Sequence, residues 1–430
     1  MNLAECIRFL EKEVGFASRP GLERIGLLCD KLDNPQDKLT VIHVAGTNGK
    51  GSAAAMLSSI LLAAGYRVGT YTSPHLERYH ERFLVNGVEI SDEAFAREIS
   101  LMKEICLQLK AEGKEMPTLF EIITAAAFHY FSEQHTDIVL LEVGLGGRYD
   151  ATNVVKSPLL SLIMSISIDH TDFLGDTLAG IAAEKAGIIK KNCPVVLYPQ
   201  EKIVYNIVKD TALAQNAPLF CPQNAEITVL EQTLKGTRFS VKDDMFTFSD
   251  VFLPLLGSYQ IQNCVTVLQA CAVLRQKGLA LPEDAIRDGL KTTHWAGRME
   301  ICGEHPLILL DGAHNTDGIL QLAHSLSVYF PGKKMTLVLG VLGDKEYQKM
   351  AAAILPFADC VILTEPQNER KLDLLSLSHT ISGFQGTVYM EKEISQAYEK
   401  AFAITPKDGV ILCCGSLYMI GAIRSYISHR

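Results

Sequence analysis

Apolar runs of strand length alternate with longer stretches of helical periodicity along most of the chain. LTVIHVAGTNG (39–49) reads as a buried strand running into a Gly-rich turn. KGSAAAMLSSILLAAG (50–65) is the helix after it, rich in Ala and stopped by Gly. YRVGTYTSP (66–74) predicts a second short strand, and 90–113 a long helix with Ser91 as N-cap and Gly113 as stop. TLFEIITAAAFHYFSEQ (118–134) is apolar on most sides and predicts a buried helix. DIVLLEVGLGG (137–147) and PLLSLIMSISIDH (158–170) predict two further strands, the first apolar throughout, as in a parallel sheet covered on both faces. The start, MNLAECIRFLEKEV, has the pattern of an amphipathic helix.

Such βαβ alternation predicts a doubly wound, mainly parallel α/β sheet. Residues from about 200 to 255 break the pattern: TLKGTRFSVKDDMFTFSDVFLPL (233–255) alternates with period two, as antiparallel hairpins do, and predicts an insertion or an edge sheet. A helix from Ile261 follows. Near THWAGRMEIC (293–302) the alternation restarts, with strands in PLILLDGAHN, KMTLVLGVLGD, DCVILTEP, GTVYME and GVILCCGS. Two domains are expected, 1–296 and a smaller α/β domain over 297–430.

The length of 430 residues agrees, since domains average roughly 150 residues. Mean hydropathy is +0.14 and 48% of residues are apolar, which excludes disorder as the main theme. A formal net charge of −9 argues against coating nucleic acid, although small phosphate ligands are held by local geometry. The eleven Cys form no CxxC pair and sit among apolar neighbours, as reduced, buried thiols do. The start has no apolar signal core, and the apolar stretch from Val410 to Ile423 is too short for a membrane span. A soluble cytoplasmic protein is expected.

The strongest chemical signal is VIHVAGTNGKGS (41–52). A strand, a Gly-rich turn with a Lys and an immediate helix turn backbone N–H groups toward a phosphate. Gly46, Gly49 and Gly51 let the backbone come close; Lys50 supplies a point charge, and Thr47 or Ser52 a hydroxyl. The P-loop pattern GxxxxGK[ST] is not met, because Gly51 separates Lys50 from Ser52. The plainer reading is a Gly-rich turn with a surface Lys, which the strand–loop–helix setting disfavours.

A nucleoside triphosphate brings Mg²⁺, which takes oxygen ligands. Glu142 ends the strand IVLLEV, where an acid facing a metal would sit; a hydrogen-bonded structural Glu is the alternative. GLGG (144–147) fails as GxGxxG, since Tyr149 takes the third Gly position. Asp169, His170 and Asp172 lie at the carboxyl end of another strand, where open α/β sheets bind ligands. Ser73, before Pro74, and DGAHN (311–315) are as compatible with ordinary turns as with function. Lys185, by its type alone, is a solvated helix residue.

Taken together, GTNGKGS (46–52), TSPHLERYHERFLVNG (72–87), Phe120-Glu121, LEVGLGGRYDATN (141–153), SIDHTDFLGDTLAGIAAEKAGIIK (167–190), GSYQIQN (257–263), WAGRME (295–300) and DGAHN resemble one family in its own order. It comprises the folylpolyglutamate synthases and dihydrofolate synthases of the Mur ligase superfamily, whose own phosphate loop carries the extra Gly. The resemblance implies an N-terminal P-loop ATPase domain and a C-terminal Rossmann-like domain, with the active site between them. It implies a triphosphate cradle from Gly46, Thr47, Asn48, Gly49, Lys50, Gly51 and Ser52, with nucleotide contacts from Asn263, Arg298, Asp311 and His314. Ser73 and Glu142 would be ligands of one Mg²⁺, and His170 of a second. Lys185 would be carried as a carbamate, making Lys50, His170 and Lys185 the catalytic set. Phe120, Glu121, Arg148, Asp150 and Ala151 would face the folate or pterin, and the loop after Ser73 resembles the family's mobile Ω-loop.

The implied reaction is ATP-dependent ligation of L-glutamate to a reduced folate through an acyl phosphate. The Asp150-Ala151 loop resembles that of members which also convert dihydropteroate to dihydrofolate. A monomer is implied. Competing readings are a monofunctional folylpolyglutamate synthase, a Mur ligase with another acceptor, disfavoured by the short lead-in before Gly46, and a P-loop ATPase that ligates nothing.

Overall fold

Strand β1 (Val41–Ala45) is buried at all five positions, as its nearly unbroken apolar run requires of a strand covered on both faces. The computed structural model describes residues 1–15, 21–169 and 175–429. β1 lies inside an eight-stranded sheet. Its other strands are β2 (Val68–Tyr71), β3 (Leu84–Val85), β4 (Val88–Glu89), β5 (Ile138–Glu142), β6 (Leu160–Ile163), β7 (Val195–Leu197) and β8 (Leu219–Phe220), in the order β4-β3-β2-β5-β1-β6-β7-β8. The strands from β2 to β8 in that order pair parallel, while β3 and β4 pair antiparallel at one edge. The mainly parallel sheet is therefore as the alternation predicts. The β3–β4 hairpin turns on Asn86 and Gly87, both at positive φ.

The helices packed with this sheet are α1 (Leu3–Arg8), α2 (Glu23–Lys31), α3 (Lys50–Ala63), α4 (Asp92–Ala111), α5 (Leu119–Glu133), α6 (Leu178–Ala186), α7 (Lys202–Ala214), α8 (Tyr259–Gln276) and α9 (Glu283–Lys291). One core joins Cys6, Leu28, Phe95, Phe128 and Phe131 to Tyr71 and Leu141. A second joins Ile181 and Ala182 of α6 and Val204 and Val208 of α7 to Ala45, Ile163 and Leu197. Ser91 caps α4 by accepting from Ala94 N, and Thr118 and Glu121 form a reciprocal capping box on α5. The N-terminal helix is shorter than its pattern suggests: α1 gives way at Phe9 to a π-helical turn that seats both Phe9 and Leu10 in the core.

Residues 202–220 form α7 and β8, so they continue the first sheet instead of belonging to hairpin material. The period-two segment forms a separate three-stranded sheet of β9 (Glu226–Thr233), β10 (Gly236–Lys242) and β11 (Thr247–Leu253), in the order β11-β10-β9. By packing, the chain divides into two units. One holds residues 1–227, 240–251 and 263–293, the other 228–239, 252–262 and 294–430.

The second unit carries β12 (Glu300–Glu304), β13 (Leu307–Asp311), β14 (Met335–Leu339), β15 (Ala358–Leu363), β16 (Thr387–Met390) and β17 (Val410–Cys414), in the order β12-β13-β17-β14-β15-β16. All pair parallel except β12, an antiparallel edge strand absent from the sequence prediction. Helices α10 (Thr316–Tyr329), α11 (Tyr347–Ile354), α12 (Leu374–Thr380), α13 (Ile394–Ile404) and α14 (Leu417–Ser428) cover it. Cys413 and Cys414 are both buried packing residues. Among the described residues no helix is long and apolar enough to cross a membrane.

Candidate active site

β1 delivers Gly46 to the carboxyl edge of the first sheet. There φ is +151° at Gly46 and +84° at Gly49, and a Cβ on Gly46 would lie 2.8 Å from the Met164 side chain. Only glycine fits such a turn without strain. The loop is pinned from one side: Thr47 N and Asn48 N donate to Ser165 O at 2.7 and 3.2 Å, and Thr47 Oγ1 donates to Ser167 O. On another side a Cβ on Gly49 would meet Asn263 Oδ1 of α8 at 2.8 Å, so Asn263 abuts the loop. α3 begins at Lys50 with no side-chain cap. The first-turn amides of a helix lack intrahelical acceptors, and here they open on the Gly-rich turn.

Lys50 Nζ folds over the loop and donates to Gly46 O at 3.1 Å and Thr47 O at 3.2 Å. Lys185 Nζ donates to the same Gly46 O at 2.9 Å. Two amines thus share one carbonyl at the mouth of the loop. Lys185 is only 5% exposed, contrary to the solvated position its residue type suggests. The cause is helical spacing: Ile181, Ala182, Lys185 and Ala186 form the buried face of α6. Burial, reinforced by the charge of Lys50 and opposed by Asp169 and Asp150, lowers the Lys185 amine to a pKa of about 7.

Glu142 ends β5 beside β1 and is buried. Its carboxylate accepts from Ser73 N at 3.1 Å and lies 3.9 Å from Lys50 Nζ. The structure thus brings Lys50, Lys185, Ser73 and Glu142 together around the phosphate-loop motif. His170 and Asp172 lie outside the described residues; Asp169 is buried at the end of the same segment. Among the described residues no three His, Cys, Asp or Glu side chains cluster as a metal site. A buried carboxylate and a nearby hydroxyl are hard oxygen donors and suit Mg²⁺, which keeps waters and phosphate oxygens for its other positions.

The loop after β5 comes next. A Cβ on Gly144 would meet the Phe120 ring at 2.4 Å, and one on Gly147 would meet Glu184 O at 2.7 Å, so the loop lies tight against α5 and α6. Asp150 organises it from within, accepting from Leu145 N, Thr152 N and the Thr152 hydroxyl. Burial raises its carboxyl pKa, against these hydrogen bonds. Ala151 is buried beside it, and Arg148 lies at the exposed rim, 3.6 Å from Glu184. Glu121 is committed elsewhere: Arg24 Nε reaches both its oxygens at 3.1 and 3.0 Å, and Thr118 N donates to it. His43 escaped the sequence prediction. It is fully buried in β1, and its Nε2 lies 2.8 Å from Thr152 Oγ1.

In the second unit Asp311 ends β13, buried, and accepts from Met299 N and Ala313 N at 2.9 and 2.8 Å. Burial pushes its pKa up, opposed by the Arg298 charge. His314 Nδ1 is 2.8 Å from Gly312 O, and a Cβ on Gly312 would lie 2.5 Å from an Arg298 nitrogen. Asp311 and His314 therefore belong to one tight turn before α10, and Arg298, from the segment before β12, packs against it.

Residues 44–271 match the family model of the Mur ligase middle domain, and residues 297–417 that of the Mur ligase glutamate ligase domain. A curated relative, the dihydrofolate synthase/folylpolyglutamate synthase of Bacillus subtilis, is 37% identical over 424 residues, covering 95% of each chain. The Mycobacterium tuberculosis folylpolyglutamate synthase, solved in complex with ADP and AMPPCP, superposes with a TM-score of 0.89. It is 33% identical and covers 99% of this chain and 98% of that one. Escherichia coli FolC, solved with DHPP and ADP, gives a TM-score of 0.88 at 31% identity, covering 100% and 98%.

Proposed function

This chain belongs to the Mur ligase family, among the folylpolyglutamate and dihydrofolate synthases, and from that premise we propose how its residues carry the ligation. It is an ATP-dependent ligase that joins L-glutamate to folates. Residues 1–296 are read as the ATP-binding part and 297–430 as the ligase domain.

The loop 46–52 takes the triphosphate on its amides, Lys50 neutralises the terminal phosphate oxygens, and Asn263, Arg298, Asp311 and His314 contact the nucleotide. Glu142 and Ser73 would hold Mg²⁺, which when bound spreads the charge of the phosphate oxygens. The acceptor's carboxylate oxygen attacks the γ-phosphorus, and the bond to the ADP oxygen breaks. Lys50 holds positive charge where that oxygen and the phosphoryl group develop theirs. The neutral amine of glutamate then adds to the acyl carbonyl. The tetrahedral intermediate collapses with phosphate as leaving group, and the amine's proton goes to solvent.

Phe120, Arg148, Asp150 and Ala151 border the acceptor. The Asp150-Ala151 loop supports dihydropteroate as a second acceptor beside reduced folates. A pKa near 7 leaves much of Lys185 as free amine at neutral pH. That is the form that adds to CO₂, giving a carbamate and a proton, so we read Lys185 as a carbamylation site. All eleven cysteines are unpaired thiols, which fits a reducing cytoplasm. A monomer is taken as the working unit, as the family resemblance implies.

The observation that carries the reading is the pair of amines on Gly46 O beside Glu142. Mass spectrometry of products tests it, with MgATP, L-glutamate and either dihydropteroate or a reduced folate. A glutamate-sized gain with both acceptors is expected. A gain with the folate alone removes the dihydrofolate synthase step. ATP hydrolysis with no gain from either refutes the acceptor class.

A further inference from the structure

His43 is the one fully buried ionisable residue of the strand that carries the phosphate loop, and the ligation scheme leaves it unused. Its surroundings fix its protonation. Asp150 accepts from Leu145 N at 2.8 Å and Thr152 N at 3.0 Å, and the Thr152 hydroxyl donates to its Oδ1. The hydroxyl's lone pair is left to accept, so His43 Nε2 must carry the proton and donate across 2.8 Å. His43 Nδ1 is consequently the bare nitrogen, buried and without a partner. Burial and the nearby Lys190 charge hold the ring neutral, with a pKa near 3. Every link of this relay has one direction, and it runs from the middle of β1 into the 144–154 loop.

We propose that His43 is a positioning residue for the acceptor: through Thr152 and Asp150 it sets the 144–154 loop against the phosphate-loop strand, and so governs acceptor binding without touching a substrate. A buried hydrogen bond to a charged group fixes geometry because its loss strands the remaining partner. Here the stranded partner would be the Asp150 carboxylate, which ties Leu145, Thr152 and the turn 151–154 into one shape. The proposal rests on the reading that this loop borders the acceptor.

The test measures KM for dihydropteroate and for a reduced folate, KM for ATP, and kcat, in the full-length chain. Thr152→Val keeps the shape and removes the hydroxyl. It should raise KM for an acceptor about tenfold, with KM for ATP within about twofold of the parent, as expected when one charge-assisted hydrogen bond is lost. Thr152→Ser should restore the parent values. His43→Leu should behave as Thr152→Val, and His43→Gln, whose amide nitrogen can replace the Nε2 donor, should recover most of the loss. A merely structural role would lower the melting temperature while moving ATP and acceptor constants together, and that result overturns the proposal. Arg148→Ala separates the two readings. If it raises the acceptor KM while Thr152→Val does not, the relay is refuted and the loop assignment stands. If neither changes the acceptor KM, the loop is not the acceptor's border.

Discussion

Replacing Lys185 with methionine should make the protein more stable and stop it working. The lysine amine is lowered from 10.5 to about 7, chiefly by burial. At ~1.36 kcal/mol per pKa unit, keeping an ammonium there costs about 5 kcal/mol. Methionine fills nearly the same volume with no charge. Losing the bond to Gly46 O gives back about 1 kcal/mol, and imperfect packing about 1 more. Lys185→Met should therefore gain about 3 kcal/mol at pH 6.

The sign with pH follows from linkage. Between the folded pKa of about 7 and the unfolded value of 10.5, the unfolded chain holds a proton that the folded chain has released. Parent stability must then rise with pH across that window, and the penalty is complete only below it. From pH 7 to pH 9 the variant's advantage should shrink by about 1.4 kcal/mol per pH unit. Urea unfolding followed by circular dichroism, in CO₂-depleted buffers so that the amine stays free, measures this. Turnover should fall by about 10³-fold, as when a preorganised charge is removed. A variant less stable than the parent at pH 6, or an advantage that does not change with pH, would refute the desolvated amine.

Three further outcomes are expected. Lys50→Ala should lose about 10²–10³ in kcat with an unchanged dichroism spectrum; activity above a tenth of the parent would remove Lys50 from the phosphate site. Gly49→Ala forces a Cβ at φ +84° to within 2.8 Å of Asn263 Oδ1 and should weaken ATP binding by about 1–3 kcal/mol. Gly65→Ala, at φ +89° in open space, should leave ATP affinity untouched, and equal effects in calorimetry would contradict the close-approach argument. Glu142→Gln keeps an acceptor for Ser73 N but loses the charge, so half-maximal activity should need at least about tenfold more Mg²⁺; an unchanged Mg²⁺ profile would place the metal elsewhere.

The strand, Gly-rich turn and helix of residues 41–63 were legible because buried strands and Ala-rich helices carry different periods. Glu142 was legible because a carboxylate closing an apolar strand is costly to bury unless a cation or hydrogen-bond donors meet it. Lys185 was not, since a lysine's type predicts solvent. Its place on the face of Ile181, Ala182 and Ala186 carries the signal, and only helical periodicity exposes it. His43 was invisible for the converse reason: a polar residue inside an apolar strand shows its meaning only through Thr152, which lies 109 positions away. Glu121 illustrates competition between roles. Thr118-x-x-Glu121 is a capping-box signature in its own right, and Arg24 takes the remaining valence of that carboxylate. The β3–β4 hairpin at Asn86-Gly87 and the β12–β13 hairpin are local pairings that went unread, whereas β7 and β8 are short strands whose pairing is decided by neighbours remote in sequence.

The placement of β1 between β5 and β6 also has a temporal side. Gly46 meets the Lys185 amine across 139 positions of chain, and the loop's floor at Ser165 comes nearly as late. During synthesis at about 5–20 residues per second, the phosphate loop leaves the ribosome roughly 7–30 seconds before the lysine that shares its carbonyl. Strand β1 must wait for both neighbours, so the nucleotide cradle matures only after the chain through Lys185 has been made. ATP then meets a finished site only on chains that have completed the sheet. A ligand that binds the folded form alone draws the population toward it, so the cell's own ATP would act as a reporter and a stabiliser of correctly completed molecules.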